Sequence, residues 1–593
     1  MKSAWRVCVI VLMATALVAQ TSTPSKPKKA KAPAVSAADV QALKDAIAAQ
    51  QAALTQQQQQ IQELRDELHR KDQAVQQAQS AATDAAGKAD AAQATATQDQ
   101  QTVTALKGDV TDLKTGMIST VQTLQETQKT ISDPPTAIRV KGITITPGGF
   151  LAAETVRRSR ALGGDINTPL NTVPLPFASQ SRLSEFFGSG RQSRISMLAE
   201  GRLKDVKLAG YVEGDFLSAG VTSNNNQSNS YTFRQRQAWG QAAFDSGWTV
   251  TGGQMWSLVT ETRKGLDNRA EALPMTIDPQ YTVGFSWARQ YGFRVTKNFN
   301  NRVWFGVSAE DASATLTSHG GQTNFIVGQA GVTGGLFNNQ ANYSFNPSLD
   351  VIAKLAFEPG FGHYEVFGIY SRFRDRIFPC AEVSLTTACN GGTGPSALGA
   401  LNNSKNGGGI GANLRWSFAN KHLDFGVHGL AGQGVGRYGT SGLPDAATHG
   451  DGSLALIRSY QGLATLEWHG PKLDVYLNAG SEYAGRQAYL DPVSGKNVGY
   501  GNFNISNATC YAEVIPGSGG FGPGSPSTCT ADTRVITEGT VGFWYRFYNG
   551  PKGRIQWGPQ FSYINRSTWA DSHGLEPHGV DGMIFTSFRY YLP

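Results

Sequence analysis

Ten arginines recur at alternating positions within segments that otherwise alternate apolar and polar residues: Arg194, Arg202, Arg234, Arg236, Arg372, Arg374, Arg415, Arg546, Arg554 and Arg589. A guanidinium keeps its charge, and its planar fork matches a carboxylate or a phosphate. Arranged along the inner wall of a pore, such groups attract anions and repel cations. On the same alternation Glu200, Glu213, Asp215, Glu310, Glu358 and Glu538 also point inward, so part of the arginine set is expected to be neutralised by internal pairing. Arg234 and Arg236, two residues apart on one face, are the first choice for solute contact. The segment 261–280 carries Arg263, Lys264, Asp267, Arg269 and Glu271, with Pro274 and Pro279 as stiffeners. It reads either as a loop that constricts a pore or as an ordinary surface loop.

Other chemistry is sparse. There is no nucleophile elbow, no His-Glu-x-x-His helix and no phosphate-cradling loop. The nine histidines are scattered, and no His or acid cluster stands at metal-ligand spacing in the sequence. The expectation is therefore a non-enzyme without cofactor or metal. Four of the five cysteines form two local pairs in Gly-rich sequence, Cys380/Cys389 and Cys510/Cys529. In an exported chain both pairs are candidates for loop-closing disulfides.

The elements that would position these residues fall into blocks. Lys2 and Arg6 precede a short apolar run, Val7 to Val18, with a cleavage site at Leu17-Val18-Ala19, so residues 1–19 read as an export signal. Residues 20–38 are a Pro/Lys-rich linker suited to a solvated spacer or to contact with anionic cell-wall polymer such as peptidoglycan. From Val40 to Ile131 every seventh residue is apolar without a stutter, which predicts a periplasmic coiled coil over 39–133. Gln50 and Gln57 in the companion seam suit a trimer interior, although the pattern alone leaves strand number open. Pro134-Pro135 ends the helix. Net charge is +6 before Asp39, −5 over 39–133 and +6 over 134–593, and no block forms a nucleic-acid-binding surface.

Residues 140–593 change to a period of two. Mean hydropathy is −0.30 and no long apolar run follows residue 20, which excludes membrane helices but not membrane strands. Sixteen segments, from 146–159 to 579–592, read as antiparallel strands, among them 232–244, 247–260, 281–296, 362–373 and 407–419. Tiny connections such as Lys204-Asp205 and Gly470-Pro471 alternate with long ones such as 485–533. That asymmetry predicts an all-β outer-membrane barrel with both termini on the periplasmic side. Alternation aims Ile410, Leu414 and Val541 at lipid and Asn413, Arg415 and Glu538 inward, around a wide water-filled lumen. Trp416, Trp468, Trp544 and Tyr545 are candidates for interfacial girdles. In 232–244 the residues Gln235, Gln237 and Gln241 share a face with Phe233 and Trp239, a face suited to a neighbouring protomer.

Four pieces in this order and spacing resemble the DcaP-like porins: Arg194-Ile195-Ser196 with Glu200-Gly201-Arg202-Leu203; Tyr211-Val212-Glu213-Gly214-Asp215-Phe216; Phe233-Arg234-Gln235-Arg236-Gln237-Ala238-Trp239-Gly240; and Gly253-Gln254-Met255-Trp256-Ser257. The likeness is sharpest over residues 190–260. It implies a homotrimer of sixteen-stranded barrels with N-terminal coiled coils, passing small organic anions, dicarboxylates among them, past lumen arginines. The chain departs from the usual aromatic terminus of such barrels, ending Tyr590-Tyr591-Leu592-Pro593. Three alternatives stand beside this reading: a phosphate-selective porin, a general porin, or a tether from outer membrane to cell wall whose pore is secondary.

Overall fold

The computed structural model describes residues 137–217, 231–317, 344–380, 396–491, 497–513 and 529–593, with the isolated positions 88, 326–327 and 495. The expected export signal, linker and coiled coil lie outside the described residues, apart from Lys88.

Alternating sequence with short turns produces one closed antiparallel sheet. Its strands are β1 (Ile143–Arg158), β2 (Arg194–Leu203), β3 (Val206–Asp215) and β4 (Arg234–Phe244). They continue as β5 (Trp248–Trp256), β6 (Arg289–Phe299), β7 (Val303–Glu310) and β8 (Asp350–Phe357). Next come β9 (His363–Phe378), β10 (Leu401–Phe418), β11 (Leu423–Gln433) and β12 (Arg458–His469). The last four are β13 (Leu473–Ala484), β14 (Thr533–Gly550), β15 (Gly553–Thr568) and β16 (His578–Tyr591). Each strand pairs with the next. β1 closes the barrel: its first half pairs with β2, Thr144 opposite Glu200, and its second half with β16, Val156 opposite Phe585. Closure leaves the barrel no free edge, which hydrocarbon would not tolerate.

One end carries only tight turns. Asn300 and Asn301 both take left-handed φ, 55° and 54°, and close the β6–β7 hairpin with the twist such two-residue turns require. The outer surface is apolar at alternate positions, with Ile195, Phe293, Leu355, Ile410, Leu477, Val541 and Ile584 exposed. This is the polarity of a barrel whose solvent is lipid.

Several sequence expectations need correction. Residues 281–288, read as the start of a strand, belong to a long connection, 257–288. Their apolar alternation reflects burial of Val283 and Phe285 inside the barrel, not strand pairing. Arg372 and Arg374 are not pore-lining: they share the outward face of β9 with Val366 and Tyr370. The inner face there carries Phe367, Ile369 and Phe373, packed against inward-folded loops, so the polar-in rule inverts locally. The β3–β4 pairing shifts register, Glu213 facing Gln237 but Gly214 facing Gln235, which makes Arg236 the extra residue of a β-bulge. Beyond it the faces exchange. Gln237 and Trp239 are buried inside, while Phe233 and Gln235 are exposed outside, so the expected glutamine face does not exist as one surface. Trp544 is also inward and buried, under Arg589 and the 257–288 loop, and is no girdle residue.

The lumen is not wide. Apolar wall residues Val156, Ile536, Ile564 and Phe585 pack against Ile166 and Leu170 of the first long loop, Ile277 and Val283 of the third, and Leu443 and Ile457 of a later one. Cys510 and Cys529 form a disulfide. Cys380 is also disulfide-bonded, and Cys389 lies outside the described residues.

Candidate functional site

Segment 257–288 crosses the barrel interior, and wall carboxylates hold it there by its backbone. Glu310 accepts from Leu258 N at 2.8 Å, Glu365 from Thr262 N at 3.0 Å, Glu358 from Gly265 N at 2.8 Å, Glu538 from Val283 N at 2.8 Å and Glu482 from Gly284 N at 2.8 Å. A neutral anchor, Gln560, accepts from Ile277 N at 2.7 Å. From the wall, Lys354 donates to Thr260 O and Asn413 to Val259 O. Charge-assisted bonds of this kind are among the strongest a side chain makes to backbone. Close approach needs glycine: a Cβ on Gly480 would collide with Val283 O, and one on Gly284 with Gly462 O. Two of the acids expected to line the pore, Glu310 and Glu538, are thus anchors for the loop.

What remains open is a cavity of about 480 Å³ between loop residues 273–280 and the opposite wall of β1, β2, β4 and β14–β16. Arg194, Arg236, Arg263, Arg546, Arg554 and Arg589 line it, against Asp278 and Asp474. A second cavity of about 450 Å³ lies beside it and is lined by Arg234, Arg289 and Arg437. Asp215 joins the two, accepting from Arg234 at 2.9 Å and Arg236 at 2.5 Å.

The arginines divide by their partners. Arg236 is held by Glu213 at 2.7 Å and by Asp215, with only 5% of its side chain exposed. Arg589 binds Glu154 at 2.7 Å, Gln192 at 2.7 Å and the carbonyl of Ile277, and is sandwiched between Phe150 and Trp544. Arg546 is paired with Asp474, and Arg415 with Glu261 and Glu467. These groups build the wall. Others are less engaged. Arg194 reaches Glu213 only at 3.7 Å and lies over the Phe150 ring. Arg554 lies 4.0 Å over the Tyr591 ring, and Arg289 over Trp256 and Trp287. Among the described residues, Arg554, Arg289 and Arg263 have no carboxylate within 4 Å. Nine arginines line the two cavities (194, 234, 236, 263, 289, 437, 546, 554, 589), and eight carboxylates line them or pair with those arginines (154, 213, 215, 278, 311, 350, 445, 474). Five of the eight, Glu154, Glu213, Asp215, Asp350 and Asp445, are buried behind guanidinium groups.

Arg202 and Glu200 sit at the short-turn rim, paired with Asp245 and Lys207. Arg263 and Lys264 are exposed, and Arg269 lies over the Tyr211 ring at 4.9 Å with φ 69°. Sequence reasoning missed Arg289, which looked like mid-strand sequence, and the anchors Glu365 and Glu482, whose partners in the loop lie 103 and 198 residues away.

No protein-family model and no curated protein matches the chain. Among solved structures, the outer-membrane channel DcaP of Acinetobacter baumannii is similar over 77% of this chain and 100% of that one, with 13% identity and a TM-score of 0.50. OprB of Pseudomonas putida covers 75% of the chain at 13% identity with a TM-score of 0.38. An anion-selective porin from Comamonas acidovorans covers 76% at 10% identity with a TM-score of 0.37. The first of these bears on the fold alone: the closed sixteen-stranded barrel of this chain is similar to the structure of that channel.

Proposed function

We propose that the protein is an outer-membrane diffusion porin that favours small organic anions, dicarboxylates being the natural class. The observation that carries this reading is the segregation of charge across the lumen. Glu310, Glu358, Glu365, Glu482 and Glu538 are engaged by the backbone of the inward loop, while Arg263, Arg289 and Arg554 line the cavities with no carboxylate within 4 Å among the described residues and Arg194 has only a long pair with Glu213 at 3.7 Å. A wall with surplus guanidinium and a facing loop that narrows the path concentrate anions and deplete cations. Several guanidinium groups lining one cavity also suit a ligand with two carboxylates.

The reading departs from the sequence expectation in one respect. Arg234 and Arg236 are both bound to Asp215 and serve as scaffold for the arginine row, and contact with solute falls to the less engaged members. Single-channel recording of the full chain in a salt gradient tests the assignment. The reversal potential should show anion preference, and succinate should reduce chloride current. Cation preference in the unmodified channel would leave only the general porin reading.

A homotrimer belongs to the same proposal. The unbroken heptad supports it, as does a polar network on the outer face: Gln235 donates to Gln254 at 3.0 Å and to the Tyr291 hydroxyl at 2.9 Å, beside Ala238, Gly240 and Gly252. Polar, small-residue surface of this kind suits a protomer contact better than lipid.

A further inference from the structure

At the short-turn end of the lumen, three strands bring together groups that are far apart in sequence. Asp424 on β11 stands directly opposite Glu467 on β12, and His469, two residues on, stands opposite Asp474 on β13. His469 Nε2 lies 3.5 Å from Asp424 Oδ2 and 3.8 Å from Glu467 Oε2. One ligand atom from each of the three lies within 4.8 Å of the others. We propose that Asp424, Glu467 and His469 form a binding site for a divalent first-row transition cation such as Zn2+, at the periplasmic mouth of the channel.

Each group is oriented as a ligand. His469 Nδ1 faces Asp474 Oδ1 at 3.4 Å, so the carboxylate can hold a proton on Nδ1 and leave Nε2, which faces the other two carboxylates, to serve as the ligand atom. Ser417 Oγ donates to Asp424 Oδ1 at 2.6 Å and leaves Oδ2 toward His469. Glu467 is independent support: only 4% of its side chain is exposed, and its Oε1 has no hydrogen-bond partner among the described residues. The charges agree. Arg546 is paired with Asp474, and two nitrogens of Arg415 are bound to Glu261 at 3.1 Å. The third, Nη1, donates to Glu467 Oε2 at 3.3 Å. Two carboxylates thus converge on one imidazole nitrogen with a single guanidinium shared between Glu261 and Glu467, a set that a dication suits. The edge of a tetrahedron with bonds of about 2.0–2.1 Å is about 3.3 Å, so a small inward movement of the side chains closes the site and leaves a fourth position for water.

Without metal, a proton on Nε2 serves the same two carboxylates. Zinc must displace it, and that distinguishes metal binding from a bridging imidazolium. Calorimetric titration of ZnCl2 into the tag-free, detergent-extracted full chain, in two buffers of different ionisation enthalpy, should give one Zn2+ per chain with release of about one proton. His469→Gln and Asp424→Asn alter partly exposed side chains and should each weaken binding at least roughly tenfold. Asp474→Asn, which leaves all three ligands in place, should weaken it by roughly 10–100-fold. MgCl2 should give no comparable heat. The absence of Zn2+ binding would overturn the proposal. So would binding that is unchanged in the first two variants, because the metal would then sit elsewhere among the nine histidines.

Discussion

A side chain's sequence position gives its face only while the period of two holds. Arg194, Arg546, Arg554 and Arg589 follow the alternation and line the cavity. Arg236 does so through a bulge that the sequence does not mark, and Arg372 and Arg374 break the expectation because their inner-face neighbours are apolar. Selectivity should follow this sorting. A unit charge one Debye length away, about 8 Å, contributes about 0.2 kcal/mol after screening, with opposite sign for anions and cations. Replacing Arg263 and Arg554 together by Gln should therefore lower the anion-to-cation permeability ratio roughly three- to fourfold, read from the reversal potential. Replacing Arg372 and Arg374 should leave it where it is, and a shift in that pair would put them in the lumen after all. Arg236→Gln should behave differently from both. It leaves Glu213 buried without its strongest cation, a change that costs roughly 3–5 kcal/mol for a buried pair. A lowered urea midpoint should accompany any loss of anion preference.

At the scale of elements, the strands were legible and the long loops were not. Sixteen strands and the short-turn/long-loop asymmetry follow from local pattern, because a lipid-facing residue every second position is a local requirement. The path of 257–288 depends on partners contributed by strands far along the chain, and its apolar stretch 281–288 imitates a strand because both bury alternate residues. Only its proline content and charges hinted at an inward course. Its position rests on backbone contact, so bulk at the contact should undo it. Gly480→Val places a branched side chain against Val283 O, and the strand can accept valine while the loop cannot remain in place. Single-channel conductance should rise and anion preference fall, while the barrel keeps its resistance to heat in SDS. Unchanged conductance would show that the loop does not limit the path. Glu365→Gln is the milder counterpart: it weakens the bonds to Thr262 and leaves Lys354, buried and 2.6 Å from Glu365, without a counter-charge. The loop should then become more accessible to protease from outside, and the urea midpoint should fall.

On the scale of the whole molecule, the barrel closes within one chain and needs no other part of the protein to satisfy its hydrogen bonds. The coiled coil proposed from the heptad pattern over 39–133 would have the opposite property, since a polar helix with one apolar seam is stable only against copies of itself. Conduction and assembly should therefore separate. Removal of residues 20–133 behind an intact export signal should leave the conductance of each open channel and its reversal potential unchanged. Charges in the lumen set both quantities, and among the described residues those charges all lie outside the deleted segment. Assembly should weaken without vanishing. The outer-face network of Gln235, Gln254 and Tyr291 persists in the truncated protein, but it loses the high local concentration that the proposed parallel coil would impose on three barrels. Crosslinking of unheated, detergent-extracted full-length protein should give trimers. The truncated protein should give trimers only at higher concentration, and Gln254→Leu on the truncated background should reduce them further. A monomer at every concentration in the full chain would rule out the trimer, and a truncated channel with altered selectivity would place part of the coil in the conducting path.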